Sequence, residues 1–443
     1  MISRAEFARR RRELMELMGK NSIAVLPSAS EVVRSRDTHY PFRQDSDFHY
    51  LTGFPEPDSV LVLLPGREHG EYVIFCRERD PVMETWHGRR EGQAGAKKNY
   101  GCNDAFPIDD IDEILPGLME GRDRIYYEFG NHAEFDNRIM SWLKSLRALV
   151  KKGAQPPGEL IDLSHFLHDM RLIKSKAEIK VMQQAADISV QAHQQAMKIC
   201  RVGMNESRVE SELRYQFANG GASGEAYSSI VAGGENACIL HYVENNARLN
   251  DGELLLIDAG AEVEGYAADI SRTFPVNGRF DELQRQVYLW VLKANVEAIK
   301  AAKPGVAWNA PHEVAVKILT EGLLAMGILT GDLDELVEAE AYKPFYMHKT
   351  GHWLGLDVHD VGDYLIEKEP RLLAEGMVLT VEPGLYLAPK IKGLDKKWWG
   401  IGVRIEDDVV ITAKGNKVLS AGAIKEIEAI ESFMNSAQAE SND

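Results

Sequence analysis

Apolar positions divide the chain into two differently built stretches. Over the first 170 or so residues, short runs rich in Val, Ile, Tyr and Phe alternate with helical patterns. The runs 22–26, 59–64, 71–77 and 124–129 predict strands, and the segments 3–18 and 133–147 predict helices. In the first helix the apolar side includes Phe7, Leu14, Leu17 and Met18, so Arg9 to Arg12 are expected on its solvated face. The stretch DTHYPFRQDSDFHYLTGF (37–54) is dense in aromatics and charges without a clean period, and reads as a loop, either functional or plain surface. KKGAQPPGEL (151–160) carries the Gly/Pro signature of a connection. This half is expected to form one mixed α/β domain.

Beyond it the rhythm changes. Ser175 with Glu178 forms a capping box that opens a long helix to about residue 200, and Asn205 starts another to about 217. A Gly-rich loop, a short strand at 229–232 and a hairpin follow. A second round brings helices at about 281–303 and 310–326, then strands near 345–349, 377–383 and 402–412. Two rounds of helix, helix and antiparallel strands predict a duplicated half-unit closing on itself. The polar end, FMNSAQAESND, is expected to fray.

The hairpin, LLLIDAGAEVEGYAADISRTF (254–274), is where chemistry enters. A turn centred on Val263-Glu264 sets Asp258 directly opposite Asp269, with both carboxylates on one face about 5 Å apart. Like charges at that distance destabilise a sheet unless a proton or a cation lies between them. Two unrelated aspartates near a turn would need no explanation, but ionisable residues recur at strand-like positions downstream. His348, His352 and His359 fall in HKTGHWLGLDVHD, Glu382 lies in the apolar run VLTVEPGLY, and Arg404 and Glu406 lie in GIGVRIEDDVVIT, two apart and hence on one strand face. An unpaired carboxylate among such apolar neighbours costs several kcal/mol. Arg404 can serve one of them, but not two Asp and two Glu together.

One arrangement accounts for all four: two divalent cations bridged by carboxylates, with His352 as the nitrogen ligand. Such a hard, oxygen-rich set favours Mn²⁺, accommodates Co²⁺ or Zn²⁺, and suits neither copper nor iron–sulfur chemistry. A cation pair of this kind activates a water and stabilises a tetrahedral oxyanion, which is machinery for hydrolysis. His241, His348 and His359 flank the ligand segments. The phosphate-loop, dinucleotide and serine-hydrolase motifs are absent, and in HEVAV at His312 the second His of a zinc-protease helix is replaced by Val316, so His312 reads as an ordinary helix-start residue.

Composition narrows the partners. Lys and Arg number 51 against 68 Asp and Glu, a formal charge of −17, which disfavours nucleic acid or an anionic membrane as the main partner. With 443 residues, 44% hydrophobic and 27% charged, the chain has the make-up of a globular protein of two to three domains. No apolar run approaches 18 residues, and the N-terminus lacks a signal-peptide core. Cys76, Cys102, Cys200 and Cys238 are scattered without a CxxC, which suits reduced thiols and a cytoplasmic location.

The runs IDAG and ADISRTFP, then GHWLGLDVHDVG, LTVEPGLY and GVRIEDD, together resemble the metal-binding signature of the pita-bread metallopeptidases, and the match with DTHYPFRQDSDFHYLTGF points to the Xaa-Pro aminopeptidase (aminopeptidase P) branch. The resemblance spans most of the chain. It implies an α+β protein with a smaller α/β N-terminal domain over residues 1–172 and a pita-bread catalytic domain over 173–443. It implies that Asp258 holds one metal, that Asp269 and Glu406 bridge two, and that His352 and Glu382 complete the shells. By the same resemblance Glu382 shuttles a proton, His241 and His359 bind or polarise the substrate, and His348, Arg404 and Tyr386 line a pocket for proline. Trp86 is expected to reach a neighbouring subunit's site in a homodimer or homotetramer, and Arg371 to lie on the rim. The expected substrates are peptides with proline in second position. The rivals are a prolidase, which cleaves only Xaa-Pro dipeptides, and a catalytically silent binding module that would have lost ligands this chain retains.

Overall fold

The computed structural model describes residues 1–440. The chain divides into two compact units, Met1–Arg171 and Leu172 onward. The first is built on a six-stranded sheet in the order Asp104–Pro107, Tyr72–Cys76, Val60–Leu63, Ser22–Pro27, Arg124–Tyr127, Glu159–Asp162. Ser22–Pro27 runs parallel to Arg124–Tyr127 and antiparallel to Val60–Leu63, so the sheet is mixed. Ile23, Val25, Val62, Val73 and Phe75 bury one face against Ile139, Trp142 and Leu143 of the helix Ala133–Ala148.

Three expectations for this unit change. Arg10 and Arg11 are buried, not solvated, and Leu17 is 49% exposed. The two guanidinium groups donate to the Tyr50 and Leu51 carbonyls at 2.9 and 2.7 Å. They also lie over the Tyr50 and Tyr72 rings, so planar cations replace apolar residues in that packing. Those carbonyls end a helix, Ser46–Thr52, inside the stretch read as a loop. Asp45 caps it by accepting from the Phe48 N–H, and Phe48, Tyr50 and Leu51 are core. The connection at 151–160 also runs into a sheet-edge strand, Glu159–Asp162, paired with Arg124–Tyr127.

The second unit repeats one plan. Lys176–Ile199 packs on Glu206–Asn219, and Ile230–Gly233, Leu254–Asp258 and Ser271–Pro275 form the first antiparallel ladder. Glu282–Ala301 packs on Ala310–Ala325, and the second ladder joins Val378–Val381 to Asp407–Thr412 and Gly384–Leu387 to Ile401–Arg404. The capping box at Ser175 forms, as does the Asn205 cap. No strand forms at 345–349. There the Phe345 and Tyr346 N–H groups both donate to the Tyr342 carbonyl, which closes a turn. The expected frayed end continues as the helix Ile427–Glu440, held by buried Ile427, Ile430 and Met434; the last three residues lie outside the described ones.

The first ladder has a different register from the one expected. Asp258 pairs with Ser271, not Asp269, and Val263 pairs with Tyr266. The tight turn lies at Glu264-Gly265, whose φ values of 49° and 83° match the two left-handed positions of a type I′ turn. Val263, branched at Cβ, stays in the buried strand where such a residue is comfortable.

Candidate metal centre and active site

Both ladders break where the acidic residues lie. In the first, Asp258 ends one strand, and Asp269 falls in the interruption opposite Gly260. In the second, Val381 pairs with Asp407 and Gly384 with Arg404, which leaves Glu382 facing Glu406 across the gap. Neither glutamate spends its N–H on its own ladder. Glu406 donates to the Ser271 carbonyl at 3.0 Å and Glu382 to the Thr350 carbonyl at 2.7 Å. The broken ladders are thereby stitched to each other and to the segment carrying His352. Arg404 ends its strand and Glu406 lies beyond it, so the two do not share a strand face as the spacing suggested, yet both turn into the same pocket.

That pocket, about 370 Å³, is lined by Asp258, Asp269, His352, Glu382 and Glu406, with His241, His348, His359, Tyr364 and Arg404 around them. Ligand atoms of Asp269, His352 and Glu406 lie within 4.8 Å of one another. His352 Nε2 is 3.3 Å from Asp269 and 3.8 Å from Glu382. Its Nδ1 bonds the Trp353 carbonyl at 2.9 Å, which assigns the proton to Nδ1 and leaves Nε2 free to ligate.

Asp258 accepts from Arg404 at 2.6 Å, and Arg404 also donates to Tyr386 and Ser271. His348 bridges the Lys349 carbonyl and the Tyr386 hydroxyl, at 2.7 and 2.8 Å. Tyr386 is fully buried and meets the pocket through His348 and Arg404 rather than lining it. His359 packs edge-on against His352 at 4.4 Å. Arg371 stands apart, its backbone bonded to Tyr364 and Trp308, and Trp86 is 78% exposed on a helix of the first unit that has no buried residue.

Sequence reasoning missed Tyr227. Its hydroxyl is 2.6 Å from both Asp258 and Asp269. A lone tyrosine after a Gly-rich loop carries no spacing signal, so only the fold could reveal it.

The charges require compensation. Burial, reinforced by Asp269, Glu382 and Asp258, pushes Glu406 well above the usual carboxylate range, and burial pushes Glu382 up to about 7 and raises Asp258. Asp269 is held down against its own burial by His352, which rises to about 9 in return. Without cations the cluster must therefore hold protons, and four carboxylates with one imidazole are a donor set that hard divalent cations fit.

A duplicated helix-and-strand scaffold closing on such a cluster defines a metallopeptidase of the pita-bread fold. The chain belongs to metallopeptidase family M24, whose model matches residues 180–413, and the aminopeptidase P N-terminal domain matches residues 7–126. It is 46% identical to Escherichia coli Xaa-Pro aminopeptidase over 99% of both chains. The structure of Pseudomonas aeruginosa aminopeptidase PepP matches with a TM-score of 0.98 at 56% identity, covering 99% of both chains. Aminopeptidase P from E. coli, solved with the inhibitor Pro-Leu, matches with a TM-score of 0.96 at 45% identity, again over 99% of both.

Proposed function

We propose that this protein is a metal-dependent Xaa-Pro aminopeptidase, which removes the N-terminal residue from peptides with proline in second position. The observation that carries this is the buried four-carboxylate, one-imidazole cluster inside a chain of family M24. The full-length match to Xaa-Pro aminopeptidase supports the proline specificity. Asp258 would hold one cation, Asp269 and Glu406 would bridge two, and His352 and Glu382 would complete the set. The hard donor set favours Mn²⁺, with Co²⁺ or Zn²⁺ as substitutes.

When bound, the cations supply an activated water and charge for the oxyanion. The chain's own groups do the rest. Glu382, which faces Glu406 across the ladder gap and lines the pocket, takes the proton of the attacking water and delivers it to the departing proline nitrogen. His241 and His359, both exposed in the pocket, hold the scissile carbonyl. His348, driven down to about 3 by burial and Arg404, stays neutral and walls the proline pocket with Arg404, while the buried Tyr386 hydroxyl holds both in place from behind. The amide before proline has no N–H and a fixed φ, so it fits extended-strand clefts poorly, and a pocket shaped for the ring converts that obstacle into selectivity.

Trp86, exposed as it is, would complete a neighbouring subunit's site in a homodimer or homotetramer, with Arg371 on the rim. Four unpaired cysteines fit a cytoplasmic enzyme. Hydrolysis of Arg-Pro-Pro against Arg-Pro, on metal-stripped protein with Mn²⁺ restored, tests the reading. Cleavage of the tripeptide only supports it, and cleavage of the dipeptide alone makes the protein a prolidase. Silence on both with metal bound leaves a binding module.

A further inference from the structure

A second cavity of about 520 Å³ adjoins the pocket and shares Lys349, Gly351 and Tyr364 with it. Its walls are mostly apolar, formed by Trp308, Pro311, Leu365, Pro370 and Leu379 with the Tyr364 ring. Tyr364 stacks on the buried Trp353, and Trp308 packs tilted against both, which braces that wall. The proposed reaction assigns this space no role.

Arg404 and Lys349 both line the first pocket, but only Lys349 also lines the second cavity, and the two cations differ. Arg404 is committed to Asp258, whereas Lys349 forms no ion pair among the described residues. An unpaired ammonium between a reaction centre and an apolar cavity selects by charge. The N-terminal end of a peptide brings its own ammonium, which Lys349 repels and the carboxylate cluster attracts. The C-terminal end brings a carboxylate, which Lys349 attracts. Lys349 lines both spaces and His348 lines the first, so a chain leaving the proline pocket for the cavity passes Lys349.

We infer that the cavity and Lys349 form a subsite for the residue following proline, whose apolar side chain enters the cavity and whose free carboxylate meets the Lys349 ammonium. The preferred substrates are then short: tripeptides Xaa-Pro-Φ with Φ apolar. The inference rests on the proline-specific reading above.

Binding and turnover separate the two. On Mn²⁺-loaded enzyme, calorimetry with Pro-Leu and with Pro-Leu-amide reads the carboxylate contact without catalysis. The acid is expected to bind about fivefold tighter, the size of a partly exposed ion pair, with Lys349→Gln collapsing that ratio to about one. In turnover, Arg-Pro-Leu should show a KM about tenfold below that of Arg-Pro-Gly, and Leu365→Ala should narrow the gap. An acid-over-amide ratio that survives Lys349→Gln, or a ratio of one in the parent enzyme, overturns the subsite. So does a preference that follows the N-terminal side chain, Leu-Pro-Gly over Arg-Pro-Gly, instead of the third residue. If no Xaa-Pro peptide is cleaved while the binding ratio still responds to Lys349, the catalytic reading fails and the subsite stands.

Discussion

A hydroxyl carries one proton, yet Tyr227 lies 2.6 Å from carboxylate oxygens of both Asp258 and Asp269. It can donate to only one of them, so the other contact needs a further proton or a cation nearby. Tyr227 therefore orients both aspartates, and Tyr227→Phe is expected to weaken Mn²⁺ binding about tenfold or more, read by titration calorimetry. Asp269→Ala should abolish peptide hydrolysis while the fold persists; near-normal turnover would remove Asp269 from the site. His193 offers a separate check. It is fully buried behind the first ladder with Nε2 on the Ala259 carbonyl, and burial pushes it from 6.5 down to about 4. A histidine depressed in the folded state leaves stability intact above 6.5 and erodes it as pH falls, because the unfolded chain binds the proton first. Metal-stripped protein should therefore lose about 1.5 kcal/mol more between pH 6.5 and 5 than its His193→Gln variant, measured by urea unfolding.

Among the elements, Gly260 has the narrowest tolerance. A Cβ there would lie 1.7 Å from the Ala268 carbonyl oxygen, so the strands carrying Asp258 and Asp269 would have to part. Gly260→Ala is expected to lower thermal stability by more than about 2 kcal/mol and activity by more than tenfold; unchanged activity would mean that the ladder break does not set the site. The long helices of the second unit were legible because caps and apolar periods are local signals. Ser175, Glu178 and Asn205 act within a few residues of themselves. Shorter elements were not. Asp104–Pro107 and Glu159–Asp162 are four-residue edge strands, too brief to show a period, and the Ser46–Thr52 helix owes its burial to Arg10 and Arg11, 40 residues away. The hairpin register differs by two residues from the one the pattern predicts, because Glu264 accepts a left-handed conformation that its side chain does not advertise.

Across the whole molecule, cation binding and protonation compete for the same oxygens. With Glu406 and Asp258 raised by burial and Glu382 up to about 7, Mn²⁺ binding near neutral pH should expel protons. Calorimetry in buffers of different ionisation enthalpy should show that release, and the affinity should fall as pH drops; binding without proton release would argue that the carboxylates are already ionised. No described helix is long and apolar enough to cross a membrane. The acidic residues, their apolar neighbours and their demand for cations were determined by the sequence itself, because apolar neighbours forbid a lone carboxylate wherever the chain goes. Which groups touch was decided only by the tertiary structure. Arg404 neutralises Asp258 from 146 residues away, and Glu406 bonds Ser271 across 135. Contacts of that range depend on two ladders breaking at matching places and handing their free N–H groups to one another. No local period, cap or turn encodes that juxtaposition.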